Sequence, residues 1–292
     1  MIASRPGSSA VVLAARMSAW RPPPSSIGIV ALGQAGFALR SRDDFVLIDP
    51  FLSPRPDRLG AVVVDPRGLL GVTAVLATHE HGDHLDLPTW AIIAEASPSA
   101  RFVVPEPLVP LVVAAGIPGD RVSGAWIGTT IQVGDVRATP VPARHAVRIQ
   151  DGYSLGDQEH RAPRFVGYVV ELDGVRLYHA GDTLTDRALI GTVAELRPDI
   201  ALLPINGRDP DRERRGVVGN MSPDEAAQMA RDLSVTLAIP MHFDTIRGNV
   251  GRPDAFVRAM RRRHPPASVW VPGIGAVFVW PSRGASWQTA AS

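Results

Sequence analysis

THEHGDHLD, residues 78–86, places three histidines and three carboxylates in nine positions of a 292-residue chain that has eight histidines in all. It follows VTAVLAT (72–78), a nearly continuous apolar run of the kind that forms a strand buried on both faces. It precedes LPTWAIIAEA (87–96), which reads as a helix with Pro88 near its start. His79 and His81 alternate on the strand end, and Gly82 permits the bend that lets them converge. Asp83 and His84 then fall at the turn into the helix, facing back toward the same space. A solvated polar loop is the competing reading, but the spacing H-x-H-x-D-H is improbable by accident. Neutral imidazoles with a carboxylate suit zinc, manganese or iron, and four such groups in six residues are enough to start two sites. Glu80 alternates with the histidines and faces away, and Asp86 belongs to the helix start.

One loop cannot complete two metal sites, so the remaining ligands must come from the ends of other strands. Three positions qualify: His145 after ATPVPA, Asp182 after VRLYHA, and His242 after TLAIPM. Singly, each reads more readily as a structural or surface residue; their shared place at strand ends raises the odds. Asn206 and Arg208 in PINGRD also follow a strand and are candidate substrate contacts. Their alternative reading is a turn with a solvated arginine. Arg212, Arg214 and Arg215 read as a solvated face, with an anion clamp as the alternative. Asp244 and Thr245 are candidates to orient His242. His179 reads as pointing into the core, and His160 and His264 as surface residues. The polar excursion 153–164 reads as a surface loop or as a cover over the site.

Composition bounds the chemistry. With no cysteine, disulfides and thiolate ligands are excluded, so a metal must use His, Asp, Glu or water. All thirty basic residues are arginine, which excludes Schiff-base chemistry on lysine and, with the abundant Ala, Pro and Gly, suggests the coding bias of a GC-rich genome. A net charge of +1 argues against a nucleic-acid or membrane-surface protein defined by bulk charge. No apolar run reaches the roughly 20 residues of a membrane helix. Residues 1–26 read as a poorly ordered tail without a secretory signal, with Met17 as an alternative start, and 27–292 as one cytoplasmic domain.

Strands are expected at 27–32, 36–41 and 45–49. Hairpins are expected around Gly134-Asp135 and Asp173-Gly174, and further strands at 200–205 and 235–241. Helices are expected at 107–116, 186–196, after Ser222-Pro223-Asp224-Glu225, and near 253–264. The tryptophans at 126, 270 and 280 read as core. The order of β-rich, helical, β-rich and helical blocks lacks strict βαβ alternation. It favours two sheets packed on each other with helices outside.

His79-x-His81-x-Asp83-His84, with His145, Asp182 and His242 following in that order, resembles the metallo-β-lactamase superfamily over nearly all of residues 27–280. The resemblance implies an α+β fold, a four-layer αββα sandwich, with a binuclear site at the rim of the two sheets. By position, His79, His81 and His145 would hold one metal and Asp83, His84 and His242 the other, with Asp182 bridging. LIDPFLS (47–53), VPEPLVPLVVAAGIPGDRV (104–122), LYHAGDT (177–183) and IPMHFDT (239–245) are similar to the L-ascorbate-6-phosphate lactonase-like branch. The implied cofactors are two divalent metal ions, zinc first, with manganese or iron as alternatives. The implied reaction is hydrolysis of a small ester or lactone, phosphorylated or not, by a metal-bridging hydroxide, with Asp83 as a catalytic proton carrier. A phosphodiesterase and a non-catalytic metal-binding protein are the alternatives. The expected partner is a small-molecule substrate, with no nucleic acid and no membrane; the branch resemblance is compatible with a homo-oligomer.

Overall fold

A computed structural model describes residues 8–156 and 163–282. After α1 (Ser8–Ala19), strands β1 (Ser26–Gly33), β2 (Gly36–Arg40), β3 (Phe45–Ile48) and β4 (Ala74–Leu76) form, with β5 (Arg101–Pro105) and β6 (Val122–Ala125), one sheet. Helices α2 (Leu87–Ala96) and α3 (Val109–Ala114) lie between its later strands in sequence. The second sheet holds β7 (Ile131–Val133), β8 (Val136–Pro142), β9 (Val166–Leu172), β10 (Val175–His179), β11 (Ile200–Pro204), β12 (Leu237–Met241) and β13 (Ser268–Val269). Interleaved with them are α4 (Arg187–Glu195), α5 (Pro210–Arg214), α6 (Pro223–Asp232) and α7 (Pro253–Arg263). Strand β14 (Val277–Pro281) returns to pair antiparallel with β1, giving each sheet seven strands among the described residues.

The period-2 alternation of side chains sorts the apolar residues into layers. Ile27, Ile29, Val46, Ile48, Ala74 and Leu76 face the second sheet, while Val30, Leu32, Phe45, Leu47 and Val75 face the outer helices. Trp90 and Ile93 of α2 and Val112 of α3 close that outer core. On the far side, Leu189 and Val193 of α4, Met229 of α6 and Phe256 of α7 pack on the second sheet. The result is the expected αββα order. Among the described residues no helix is long and apolar enough to cross a membrane.

The strand directions bring one set of ends together. β1 and β3 run parallel through the antiparallel β2, and β4 is parallel to β3, so all three end at one rim. In the second sheet β8 runs parallel to β10 through β9, and β10, β11 and β12 are mutually parallel. The two rims are stitched directly: Val166 N–H donates to Thr78 O at 3.0 Å, and His242 N–H to Gln34 O at 2.7 Å.

Three readings need correction. Residues 8–19, expected in a disordered tail, form α1. Ala10, Ala14 and Met17 recur on one buried face, and Arg16, which interrupts the apolar run in sequence, falls on the exposed one. Ser18 fixes the helix end, its Oγ donating to Gly68 O and accepting from Leu70 N–H, both at 2.8 Å. Trp126, expected in the core, is exposed at the end of β6, the edge strand of its sheet, while Trp270 and Trp280 are half-buried. The stretch after Ile205 is not wholly loop: Asp209 caps the short α5, accepting from Asp211 and Arg212 N–H.

The capping box at α6 forms as read, with Ser222 Oγ accepting from Glu225 N–H and Glu225 Oε2 from Ser222 N–H. Arg208 adds a bidentate pair to Glu225, both contacts at 2.8 Å. The Arg208 pairing, opposed by burial and helped by Ser222, holds the Glu225 carboxyl down to about 2. Because the folded value is depressed, the stabilisation is full above the ordinary value of 4.5 and disappears as pH falls from there through 2. With both side chains about one-third exposed, Glu225→Gln is expected to remove about 1 kcal/mol at pH 7. Urea denaturation should show that deficit shrinking across the same window.

Candidate metal centre

The seven histidines and carboxylates expected as ligands converge at the shared rim. They form two groups whose ligand atoms lie within 4.8 Å of one another: His79, His81, His145 and Asp182, and Asp83, His84 and His242. In the first, His79 Nε2 lies 2.9 Å and His145 Nε2 3.3 Å from His81 Nδ1. In the second, Asp83 Oδ2 is 3.5 Å from His242 Nε2 and 3.9 Å from His84 Nε2. Asp182 reaches both. Its Oδ1 is 3.3 Å from His84 Nε2 and from His242 Nε2, and its Oδ2 is 3.7 Å from His145 Nε2.

Hydrogen bonds on the far side of the rings fix which nitrogens carry protons. His84 Nδ1 donates to Asp49 Oδ2 at 2.7 Å, leaving Nε2 as a lone pair. Thr78 Oγ1 donates to the same carboxylate oxygen at 2.7 Å, so its own lone pair accepts from His79 Nδ1 at 3.0 Å. His81 Nε2 donates to Val147 O at 2.9 Å. Lone pairs of His79 and His81 therefore face each other at hydrogen-bond distance with no proton between them. His84 Nε2 of the second group and Asp182 Oδ1, which faces it, are buried with no hydrogen-bond partner. Converging acceptors of this kind are stable only around a cation. Ligands ~2.05 Å from a tetrahedral ion sit ~3.3 Å apart, the spacing seen around Asp182 Oδ1. The donor set fits a divalent metal ion.

The charges agree. Burial holds His79 well below its ordinary value, and brings His145 down to about 3 against the pull of Asp182. For His84 and His242 burial is outweighed by carboxylates: Asp182, Asp49 and Asp83 raise the first, and Asp182 with Asp83 lifts the second to about 9. Burial would raise Asp182, but His242 and His84 hold it well below the carboxylate range.

The loops carrying these residues are locally constrained. Asp49, Gln34 and His242 all take left-handed backbone, with φ of 47°, 56° and 60°. Gly181, at φ 60°, lies where a Cβ would meet Val166 O at 2.8 Å and Thr78 Cβ at 2.9 Å, so only glycine lets the chain approach and deliver Asp182.

Glu80, Asp86 and His179 stand as read, and others do not. Glu80 faces away, bound by Arg164 at 2.8 and 3.0 Å, and Asp86 caps α2. His179 is buried in the core, Nε2 donating to Ala35 O at 2.7 Å. His264 is half-buried, with Nε2 2.8 Å from Val235 O. His160 and residues 157–162 of the polar excursion lie outside the described residues. Asn206 and Arg208, the candidate substrate contacts, are both bound by neighbouring residues. Asn206 is buried between Asn220 and Asn249, and Arg208 is held by Glu225 and Asn220 O. The arginine run is also internally bound: Arg212 to Asn206 O, Val250 O and Asp209, Arg214 to Asp211, and Arg215 to Asp211 O. Asp244 and Thr245 do not touch the His242 ring; Asp244 Oδ1 accepts from Gln34 N–H at 3.0 Å and from Thr245 Oγ1 at 2.7 Å. Two residues of the site were missed as such, Asp49 and Gln34. The first ends the apolar run FVLI and the second sits between glycines in GQAG, both polar residues at strand ends.

The model of the Beta-lactamase superfamily domain matches residues 45–243, from the strand before Asp49 to just beyond His242. The chain thus belongs to the metallo-β-lactamase superfamily and has its fold. It is 36% identical over 246 residues to a UPF0173 metal-dependent hydrolase of Myxococcus xanthus, covering 84% of this chain and 80% of that one. It is 34% identical to another from Rubrobacter xylanophilus, covering 80% and 88%. Within the superfamily it is a member of the UPF0173 metal-dependent hydrolase family. The fold is shared with a metallo hydrolase of Ignicoccus hospitalis, with a TM-score of 0.67 at 22% identity over 87% of this chain and 98% of that one. An isothiocyanate hydrolase from Delia radicum gut bacteria shares it too, with a TM-score of 0.67 at 18% identity over 87% and 100%.

Proposed function

We propose that this chain hydrolyses a small ester or lactone, phosphorylated or not, at a two-ion centre. His79, His81 and His145 hold one ion, Asp83, His84 and His242 the other, and Asp182 spans both. The observation that carries this reading is the Asp182 carboxylate, with one oxygen toward each group. When bound, the ions supply a water acidified toward pH ~7 and Lewis-acid polarisation of the scissile carbonyl. Zinc suits the imidazole-rich first group, and manganese or iron suits either.

The chain's own residues set the geometry. Asp49 and Val147 O lock the tautomers of His84 and His81, so each ring offers a lone pair without reorganisation. Asp83 has the most exposed carboxylate of the centre, its side chain 14% exposed against 4% for Asp182. It is therefore the group able to take a proton from the attacking water and return it to the leaving alkoxide. A cavity of about 400 Å³ is lined by Val147, whose carbonyl binds His81, and by Phe165, which packs on His145.

Protein purified without chelator should contain two transition-metal ions per chain and turn over lactones or carboxylic esters. Chelation should abolish that turnover, and zinc or manganese should restore it. Absence of metal would overturn the reading, and turnover confined to phosphodiesters would replace the substrate class.

A further inference from the structure

A cavity of about 830 Å³ lies between Val11 of α1, the loop that follows β3 and the first turns of α2, room enough for a small organic molecule. Leu52, Val62, Val64 and Ile92 give it an apolar lining, and Arg58 stands in the same wall. The loop is fastened to both segments that carry the second ligand group. Leu59 N–H donates to Thr245 O at 2.6 Å and Arg247 N–H to Asp57 O at 2.8 Å, just beyond His242. Ser53 Oγ donates to Asp86 Oδ1 at 2.6 Å, two residues after His84.

Arg58 gives the cavity its chemistry. The residue is only 8% exposed, yet among the described residues no carboxylate lies within ion-pair distance of it. Its guanidinium has one acceptor among them, Phe51 O at 3.1 Å from Nη1, and Nη2 has no partner. A desolvated charge is costly, and arginine is seldom buried so far without a paired anion. Asp86 and Asp244 act on Arg58 from farther off, but both carboxylates are taken up elsewhere. Asp86 accepts from Leu52 and Ser53 N–H and from the Ser53 and Thr89 hydroxyls, and Asp244 from Gln34 N–H and Thr245 Oγ1. Arg55 shows the contrast. It lies over the same Phe51 ring, at 5.8 Å against 4.6 Å for Arg58, but is bound by both oxygens of Asp57 at 2.9 and 2.8 Å. What Arg58 lacks is an anion, and the apolar lining sets the character of the molecule that would bring one.

We propose that this cavity binds a small organic anion, a carboxylate or phosphate on an apolar body, with the charged head held by Arg58. The planar guanidinium fork fits either head group. The site goes beyond the two-ion reading and does not depend on it, because its occupancy needs no metal.

The test is calorimetric titration of the chelator-stripped full chain with octanoate, octyl phosphate and 1-octanol, which share one apolar chain. At least one anion should bind about tenfold or more tighter than the alcohol, and the tighter of the two identifies the head group. Arg58→Met keeps the length of the side chain and should erase that preference. Its urea midpoint should equal or exceed that of the wild type, because a buried charge without a partner has been removed. Ala61→Trp keeps Arg58 and fills the cavity from the loop, so it should weaken all three ligands, and it decides the matter if Arg58→Met does not fold. A wild type that binds neither anion, or binds the alcohol as tightly, would overturn the proposal. So would an undiminished anion preference in Arg58→Met, or wild-type binding in Ala61→Trp. A lower urea midpoint in Arg58→Met would overturn it too, showing that the charge serves Asp86 and Asp244 instead of a ligand.

Discussion

Asp182→Ala is expected to abolish detectable hydrolysis, a loss on the order of 10³-fold or more, and to release both ions. The scale is that of removing one preorganised charge from a water-excluded site. The reason for the severity is geometric. Every other candidate ligand lies in one group, whereas Asp182 Oδ1 faces His84 and His242, and Oδ2 faces His145. His145→Ala should therefore give a different result, one ion lost and one retained, and metal analysis of the two variants separates the cases. An Asp182→Ala protein that kept both ions would defeat the bridging assignment. The variant should also be less stable after chelation at pH 7. Burial disfavours the Asp182 carboxylate, but His242 and His84 hold its pKa well below the ordinary range. Its contribution is thus present above the unfolded value of ~3.9 and is lost as pH falls below that.

Legibility in the sequence followed how local the signal was. The H-x-H-x-D-H spacing is a contact pattern within six residues, so His79, His81, Asp83 and His84 could be read before any fold was known. The distant ligands needed the rule that parallel strands end at one rim, and His145, Asp182 and His242 follow from it. Asn206 at the end of β11 obeys the same rule, and its amide is bound by two neighbouring asparagines. Arg208 pairs with Glu225 of α6, across 17 positions that no local pattern contains. The helix α1 was hidden by Arg16: a linear scan sees a broken apolar run, while at 100° per residue the charge lies off the buried stripe. Strands β5 and β6 were not read, being short runs beside Pro-rich and Gly-rich segments whose pairing is wholly tertiary. Asp49 lay in plain view within LIDPFLS, yet nothing in its neighbours tells that its partners are 29 and 35 residues away.

Asp49→Ala is expected to be the most destabilising single change at the rim that touches no ion. The carboxylate accepts from Thr78 N–H at 2.8 Å, from Thr78 Oγ1 at 2.7 Å and from His84 Nδ1 at 2.7 Å, all in a fully buried environment. Removing it leaves three buried donors without an acceptor, and puts alanine at φ 47°, where its Cβ is disfavoured. A loss of about 3–5 kcal/mol follows, measurable by denaturant unfolding of the stripped protein. The chemical effect goes further, because the same carboxylate sets two tautomers: that of His84 directly, and that of His79 through Thr78 Oγ1. One residue thus prepares a ligand in each group. Asp49→Asn separates the two effects, since asparagine tolerates left-handed backbone and keeps one acceptor oxygen. Its amide N–H2 can accept from neither Thr78 Oγ1 nor His84 Nδ1, so the folded protein should survive while affinity for both ions falls about 10–100-fold. An Asn variant that loads metal like the wild type would show that packing alone orients the rings. If only the second group weakens, the route through Thr78 to His79 is broken and Asp49 serves His84 only.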